Sequence, residues 1–230
     1  MKLKRLHIFV LATLISFALM YFSYLPVIGL LGRVLILFST LFHELGHGLT
    51  AMLVGGDFHR LEINWNASGV TTWSGSVGRL ARGMVAAGGL VGPACAAAVL
   101  FWFAKGSDRR FLTGTRLFGA GLVVVGLLTA RSIWALAFTL GLGLLLLAMS
   151  AKVPRKALET FVVFIGVQLG LSVFTRADYL FTRWAGENRP SDVANMADAL
   201  FLPFWFWGAL CGLFSLLVLF WGSRCYIEEE

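Results

Sequence analysis

Two histidines four residues apart enclose a glutamate in the sequence His43-Glu44-Leu45-Gly46-His47. Residues four apart lie on one face of an α-helix, so the imidazoles of His43 and His47 can bind one metal ion. Glu44 lies beside that face, where it can accept a proton from a water molecule at the metal. This spacing is typical of zinc-dependent hydrolases, and it predicts Zn²⁺ as the cofactor.

The motif lies inside an apolar segment, residues 27–54, that is long enough to cross a lipid bilayer. Histidine and glutamate side chains are costly at that depth unless they bind or pair with another group. The same motif also arises by chance in ordinary helices, without a metal. The membrane context favours a metal site, with His43 and His47 as ligands and Glu44 as the catalytic base.

The composition is that of a membrane protein. Hydrophobic residues make up 58% of the chain and charged residues 13%, about half the charged fraction of a soluble domain. The net charge of +7 comes from Lys and Arg at the ends of apolar segments, with no basic and aromatic stripe, so no nucleic-acid partner is expected. Isolated cysteines at 95, 211 and 225 indicate neither a disulfide framework nor a thiolate metal site.

Seven apolar segments approach or exceed the length of a membrane span, which is about 20 residues. They cover residues 8–25, 27–54, 84–104, 117–130, 132–149, 160–175 and 200–221. The sequence therefore predicts an all-α polytopic membrane protein of about six to seven transmembrane helices in one domain, residues 1–230. The short segment 117–130 also fits a tilted or re-entrant helix. The first segment fits a cleaved secretory signal less well than a retained helix, because of its length.

A polar stretch, residues 55–82, interrupts the bundle. Gly55 and Gly56 end the metal helix, and apolar and polar residues then alternate over 60–66, as in a β-strand. Turn residues at 66–69 and a second strand at 70–74 complete a predicted β-hairpin at the membrane interface. The hairpin either covers the bundle or offers its edge to an extended substrate, because a peptide bond inside a helix is shielded from attack.

A zinc hydrolase usually has a third protein ligand and one open position. The candidates in this sequence are Asp57, His59, Glu62, Asp192 and Asp198. Asp192 follows Pro190 at the predicted start of the last span, where an acidic residue also serves as a helix cap. From the residues alone, ligation and capping both remain open for Asp192.

The orientation is inferred from charge and from counting spans. Basic residues within 2–5 favour a cytoplasmic amino terminus. If residues 8–25 then cross the membrane, the metal helix runs inward and its histidines lie toward the cytoplasmic side. Four further crossings bring the chain back to that side just before Asp192.

Several blocks of the sequence resemble the site-2 protease family of intramembrane zinc metallopeptidases, and above all its compact bacterial branch. They are Phe42-His43-Glu44-Leu45-Gly46-His47-Gly48, Gly55-Gly56, Gly88-Gly89-Leu90-Val91-Gly92-Pro93, Ser191-Asp192 and Leu202-Pro203. The resemblance extends from the metal helix to the last span. One departure is that Val193, instead of the family's glycine, follows Asp192, and no stretch is long enough for an inserted PDZ domain.

The resemblance implies that His43, His47 and Asp192 bind zinc and that Glu44 is the general base. It implies an intramembrane endopeptidase in a bacterial cell membrane, acting on membrane-embedded proteins or peptides. A different class of function is a catalytically silent membrane protein that keeps the site for metal binding or partner docking. A metal transporter is disfavoured, because the sequence offers one closed site and no inverted repeat.

Overall fold

The computed structural model describes residues 2–22, 24–175, 177–185 and 189–228. This part of the chain forms eight α-helices and one two-stranded sheet. Their bounds are α1 Lys2–Tyr21, α2 Pro26–Leu53, β1 Asp57–Ile63, β2 Gly69–Ser74, α3 Arg79–Lys105, α4 Asp108–Thr129, α5 Ile133–Lys152, α6 Arg155–Thr175, α7 Asp192–Leu200 and α8 Phe204–Ile227.

Six of the described helices are long and apolar enough to cross a bilayer: α2, α3, α4, α5, α6 and α8. The predicted fold class is therefore confirmed, an all-α multi-pass protein with a hairpin after the metal helix. The segment predicted at 117–130 belongs to α4, which has 22 residues and begins earlier, at Asp108, after the N-cap Ser107. This helix is long enough for a full span. The apolar segment in the sequence was shorter because it left out the polar first turns of the helix.

The end of the chain differs from the predicted single span at 200–221. Asp192 begins a separate helix of nine residues, α7, and the last span begins only at Phe204. Phe201, with φ of 71°, terminates α7 in the left-handed conformation, and Pro203 is the N-cap of α8. Asp192 thus lies on its own short helix and not on the last membrane span.

Helices α2 and α3 run antiparallel and touch through glycines. A Cβ on Gly46 would overlap the backbone of Gly88, and a Cβ on Gly92 would meet the carbonyl oxygen of Phe42 at 2.7 Å. Small residues at such positions let membrane helices approach closely. The turn of α2 that carries His43 and His47 is therefore pressed directly against α3.

The hairpin packs beside α2. β1 and β2 are antiparallel, with Leu61 paired to Thr71 and Ile63 to Gly69. Leu61 and Ile63 are completely buried. The carbonyl oxygen of Leu61 accepts a hydrogen bond from the backbone N–H of Arg131 at 2.9 Å, at the junction of α4 and α5. Among the described residues, the outer edge of β2 has no strand partner.

The position of the first helix differs from the predicted alternation of seven crossings. Arg5 of α1 donates to the carbonyl oxygen of Lys105 at 3.3 Å, so α1 begins beside the end of α3. Because α2 is antiparallel to α3, Pro26 also lies on the Lys105 side. The five Cα–Cα steps from Tyr21 to Pro26 reach at most about 18 Å, less than a hydrocarbon core of about 30 Å. Helix α1 therefore does not cross the bilayer in simple alternation with α2.

Four spans, α3 to α6, still separate the end of α2 from Asp192, so the expected shared side of these two elements holds. The assignment of this side to the cytoplasm required α1 to cross the bilayer in alternation with α2. It therefore no longer follows from the count of spans. Basic residues near the start of α1, the α3–α4 link and the α5–α6 link now lie on one side of the bundle.

A labelling experiment tests this topology. In a variant whose three native cysteines are replaced by alanine, Lys4→Cys and Ser107→Cys should react with a membrane-impermeant maleimide from the same side of sealed vesicles. The reason is that Arg5 and Lys105 are neighbours. Labelling of the two positions from opposite sides would restore the seven-crossing topology.

Candidate metal centre

Helix α2 brings the two histidines of the motif together as expected. The Nε2 atoms of His43 and His47 lie 3.3 Å apart, and both imidazoles are largely buried. Two neutral imidazole nitrogens at this distance can share only one proton, so a common cation explains the arrangement better than a direct hydrogen bond.

Asp192 reaches the same point from α7. Its Oδ2 lies 3.1 Å from Nε2 of His43, and its Oδ1 lies 3.3 Å from Nε2 of His47. Within the described part of the chain, these three residues form the one group of three or more His, Cys, Asp or Glu side chains that can hold a metal ion. The structure thus brings together the three residues that the sequence analysis named as ligands.

The distances suit zinc. Zinc bonds of about 2.0–2.1 Å in a tetrahedral site place the ligand atoms about 3.3 Å from one another. The two Nε2 atoms are 3.3 Å apart, and each lies 3.1 or 3.3 Å from a different carboxylate oxygen of Asp192. The Oδ2 atom of Asp192 is buried and has no hydrogen-bond partner in the described structure. A buried carboxylate oxygen without a donor is costly unless a cation satisfies it. Three ligands leave one position open for water or substrate.

The local structure of α7 assigns the capping role to a neighbour of Asp192. Ser191 is the N-cap, and its Oγ accepts a hydrogen bond from the backbone N–H of Ala194 at 3.2 Å. The Ser191 hydroxyl also donates to the carbonyl oxygen of Thr182 at 2.6 Å. The side chain of Asp192, in the first turn, is therefore free to point at the histidines.

The protonation of Asp192 agrees with a ligand role. Burial alone raises the pKa of its carboxyl group, but the nearby His47 and His43 outweigh burial and hold this pKa below its ordinary value. The charge part of this effect needs a proton on the imidazoles; a bound cation would take the place of that proton and favour the same carboxylate form of Asp192.

Helix α3 orients His47 by a hydrogen bond to the ring nitrogen that does not face the metal centre. Nδ1 of His47 lies 2.8 Å from the carbonyl oxygen of Val85, which accepts its proton and leaves Nε2 free for a metal. Gly89 is where the ring of His47 meets α3, since any Cβ there would overlap the ring. The close contact of α2 and α3 therefore fixes both the tautomer and the direction of this imidazole.

Strand β2 holds Glu44. The carboxylate of Glu44 is buried, and the hydroxyl of Thr71 lies 2.8 Å both from its Oε2 and from the main-chain oxygen of Glu44. Gly69 lies so close to this carboxylate that a Cβ would displace it. The sequence analysis did not name Thr71, although the alternation along β2 places Gly69, Thr71 and Trp73 on one face.

The other candidate ligands lie elsewhere. His59 is exposed and its Nε2 is 2.6 Å from the hydroxyl of Ser74, while Glu62 pairs with Arg60 on the hairpin surface. Asp57 begins β1, and Asp198 is exposed near the end of α7. None of these four belongs to the metal-binding group in the described residues.

A cavity of about 470 Å³ opens beside the centre. His47 and Asp192 line it, and its other walls come from β2, α3 and α7. The polar and aromatic side chains among them are Trp73, Arg79, Arg82, Asn195 and Asp198. The candidate metal centre is therefore reachable by a ligand considerably larger than water.

A bundle of membrane helices around a buried His, His and Asp group with an adjacent glutamate defines the class of membrane metallopeptidases. The family model described as Peptidase M50B-like matches residues 9–222. The chain belongs to this family, which is part of the site-2 protease family, so the resemblance found in the sequence is confirmed. Comparisons with curated proteins and with solved structures each find no match.

Zinc content provides the first test of the centre. His43→Ala and His47→Ala should each lose bound zinc, because two remaining ligands do not complete the site. Zinc is measured by elemental analysis of the detergent-purified protein after dialysis. Full zinc occupancy in both variants would contradict the assignment.

Asp192→Asn tests the third ligand separately. It should weaken zinc affinity by at least about 10-fold, since even a residue behind the ligands is worth 10–100-fold. The cap of α7 stays intact, because Ser191 provides it. Asp198→Asn, on the same helix, is the matched control and should leave zinc affinity unchanged. Equal affinities in the two variants would remove Asp192 from the centre.

Proposed function

We propose that this protein is a zinc-dependent intramembrane endopeptidase that hydrolyses peptide bonds of membrane-embedded proteins or peptides. The observation that carries the proposal is the convergence of His43, His47 and Asp192, with Glu44 beside them, inside a bundle of six candidate spans. In this proposal residues 1–230 act as one domain, of which residues 55–82 form the polar hairpin segment.

Each side chain has a definite task. His43, His47 and Asp192 hold the zinc ion, which when bound supplies a Lewis acid for the peptide carbonyl and lowers the pKa of water. Glu44 accepts a proton from the attacking water and delivers it to the nitrogen of the leaving amine. Thr71 is a positioning residue, because it touches Glu44 and no reacting atom.

The hairpin suits an extended substrate. The edge of β1 is engaged with Arg131 and Ser132 at the α4–α5 junction, whereas the outer edge of β2 has no strand partner in the described structure. A peptide that pairs with β2 would pass beside Glu44, which contacts Gly69 and Thr71. Pairing with a strand keeps the scissile bond out of a helix, where its carbonyl is shielded.

The lipid bilayer is the environment of the reaction, and a bacterial cell membrane is the proposed location. The count of spans from a cytoplasmic amino terminus, with residues 8–25 as the first crossing, predicts a site toward the cytoplasmic side. Basic residues of the α1 start and of the α3–α4 and α5–α6 links instead assign the opposite side to the cytoplasm, by the positive-inside rule. The side from which Ser107→Cys is labelled in intact cells distinguishes the two orientations.

Substitution of the base separates the endopeptidase from a catalytically silent metal protein. Glu44→Gln should retain zinc and lose hydrolysis of a transmembrane test substrate by about 10²–10⁴-fold, because glutamine cannot accept the proton. Cleavage is measured with purified enzyme in detergent and resolved by gel and mass spectrometry. The silent protein would show no cleavage even in the wild type, and equal cleavage by both forms would exclude Glu44 from the mechanism.

Thr71→Val tests the positioning of Glu44. Valine preserves the shape of threonine but removes the hydrogen bond to the carboxylate, so kcat should fall about 10-fold, the usual effect of one hydrogen bond to a charged group. KM and zinc content should be unchanged, and Thr71→Ser should restore most of the rate. A purely structural role of Thr71 predicts loss of folded protein and no rescue by serine.

A further inference from the structure

Two arginines of α3, Arg79 and Arg82, line the cavity that ends at His47 and Asp192. Arginine is the side chain best suited to bind a carboxylate, because its planar guanidinium can donate two parallel hydrogen bonds. The partners of each arginine therefore indicate whether either is available to a ligand.

Arg79 is already engaged. Its Nε donates to the carbonyl oxygen of Ala199 at 3.0 Å, and its Nη2 donates to that of Asp198 at 3.1 Å. Its guanidinium also lies 3.8 Å from the centre of the Phe201 ring. Arg79 therefore ties the start of α3 to the end of α7 and belongs to the frame of the cavity.

Arg82 has no such engagement. Within the described residues its guanidinium has neither a hydrogen-bond nor an ion-pair partner, and the side chain is exposed to the cavity. Arg82 lies one turn deeper than Arg79 along α3, nearer to His47. It is thus an uncompensated positive charge on the wall of the space that a substrate must enter.

The position of Arg82 relative to the metal centre follows from the helix. Gly89, which contacts the ring of His47, is seven residues after Arg82 on the same face of α3. Seven residues correspond to about 10 Å along the axis, and an extended peptide advances about 3.4 Å per residue. Arg82 therefore lies about two or three residues from the reacting peptide bond.

Strand β2 contributes another part of the cavity lining. Gly69 and Thr71 contact Glu44, and Trp73, next on the same face of the strand, lines the cavity together with Arg82. A peptide that follows β2 outward from Glu44 would enter the cavity that Trp73 and Arg82 both line.

The charges of the cavity favour an anionic ligand. The lining carries two arginines, Arg79 and Arg82, and two carboxylates, Asp192 and Asp198. These four charges balance, so the cation of the proposed centre would leave the cavity with a net positive charge. We propose that Arg82 forms a carboxylate-binding subsite, so that preferred substrates carry a carboxylate two or three residues from the scissile bond. This inference rests on the proposed endopeptidase function.

The carboxylate has two chemical sources, an aspartate or glutamate side chain and the free carboxyl terminus of a peptide. Three fluorescein-labelled hexapeptides distinguish them: an alanine peptide amide with one internal Glu, the same amide with Gln, and the Gln peptide with a free carboxyl terminus. They are titrated into zinc-loaded Glu44→Gln protein in a non-ionic detergent, and Kd is read from fluorescence anisotropy, independently of catalysis.

The peptide with internal Glu, the free acid or both should bind about 10-fold more tightly than the neutral amide, the effect of one charge-assisted contact. Arg82→Gln should abolish the difference. Arg82→Glu should instead bind a fourth peptide, the amide with Lys in place of Glu, more tightly than the Glu peptide. Arg60→Gln, a hairpin arginine paired with Glu62, is the matched control and should leave the preference intact. The more tightly bound of the two acidic peptides identifies the source of the carboxylate.

Equal behaviour of the acidic and neutral peptides, including no binding of either, would overturn the subsite, as would an undiminished preference in Arg82→Gln. Failure of the endopeptidase proposal can be distinguished from failure of the carboxylate subsite by a cleavage measurement. It would appear as absence of Glu44-dependent cleavage of a transmembrane substrate, with or without the binding preference. Cleavage that depends on Glu44 without any acidic preference would overturn the subsite alone.

Discussion

The direct contact between α2 and α3 is the constraint on which the rest of the site depends. Gly46, Gly88 and Gly92 bring the two backbones together at the turn that carries the histidines. At this separation the carbonyl oxygen of Val85 reaches Nδ1 of His47 and sets its tautomer. A side chain at any of the three glycines would move α3 away and release that imidazole. The geometry of the metal centre thus depends on the packing of α2 against α3 as well as on the spacing of His43, Glu44 and His47.

Burial of polar groups at membrane depth requires a partner for each of them. The hydroxyl of Thr71 hydrogen-bonds the carboxylate of Glu44, and the carbonyl oxygen of Val85 accepts a hydrogen bond from Nδ1 of His47. Ser191 caps α7, so that the side chain of Asp192 can point toward the histidines. Among the described residues, Oδ2 of Asp192 is one of five buried side-chain atoms without a hydrogen-bond partner, and it is the one that lies beside the two histidines. Hydrogen bonding of buried groups also positions the hairpin. β1 hydrogen-bonds to the α4–α5 junction, and β2 contacts Glu44 through Thr71.

The sequence predicted the features that depend on local spacing. The pair of histidines, the hairpin and the apolar helices follow from periods of four and two residues and from segment length. The prediction of Asp192 as a ligand required the family resemblance, because an acidic residue soon after Pro190 can also be a helix cap. The structure shows that Ser191 is the cap. Thr71 and Arg82 depend on how β2 and α3 are placed beside α2, which no local pattern encodes. The direction of the first helix could not be predicted, because hydropathy measures length and not direction; the contact of Arg5 with Lys105 provides it.

X-ray absorption at the zinc edge of the purified protein tests the central claim most directly, because it reports the atoms bound to the metal itself. The account predicts two imidazole nitrogens and oxygen ligands at about 2.0–2.2 Å. In Asp192→Asn the carboxylate contribution should disappear while both imidazoles remain. A sulfur ligand at about 2.3 Å, or a spectrum unchanged by Asp192→Asn, would contradict a zinc centre built from His43, His47 and Asp192.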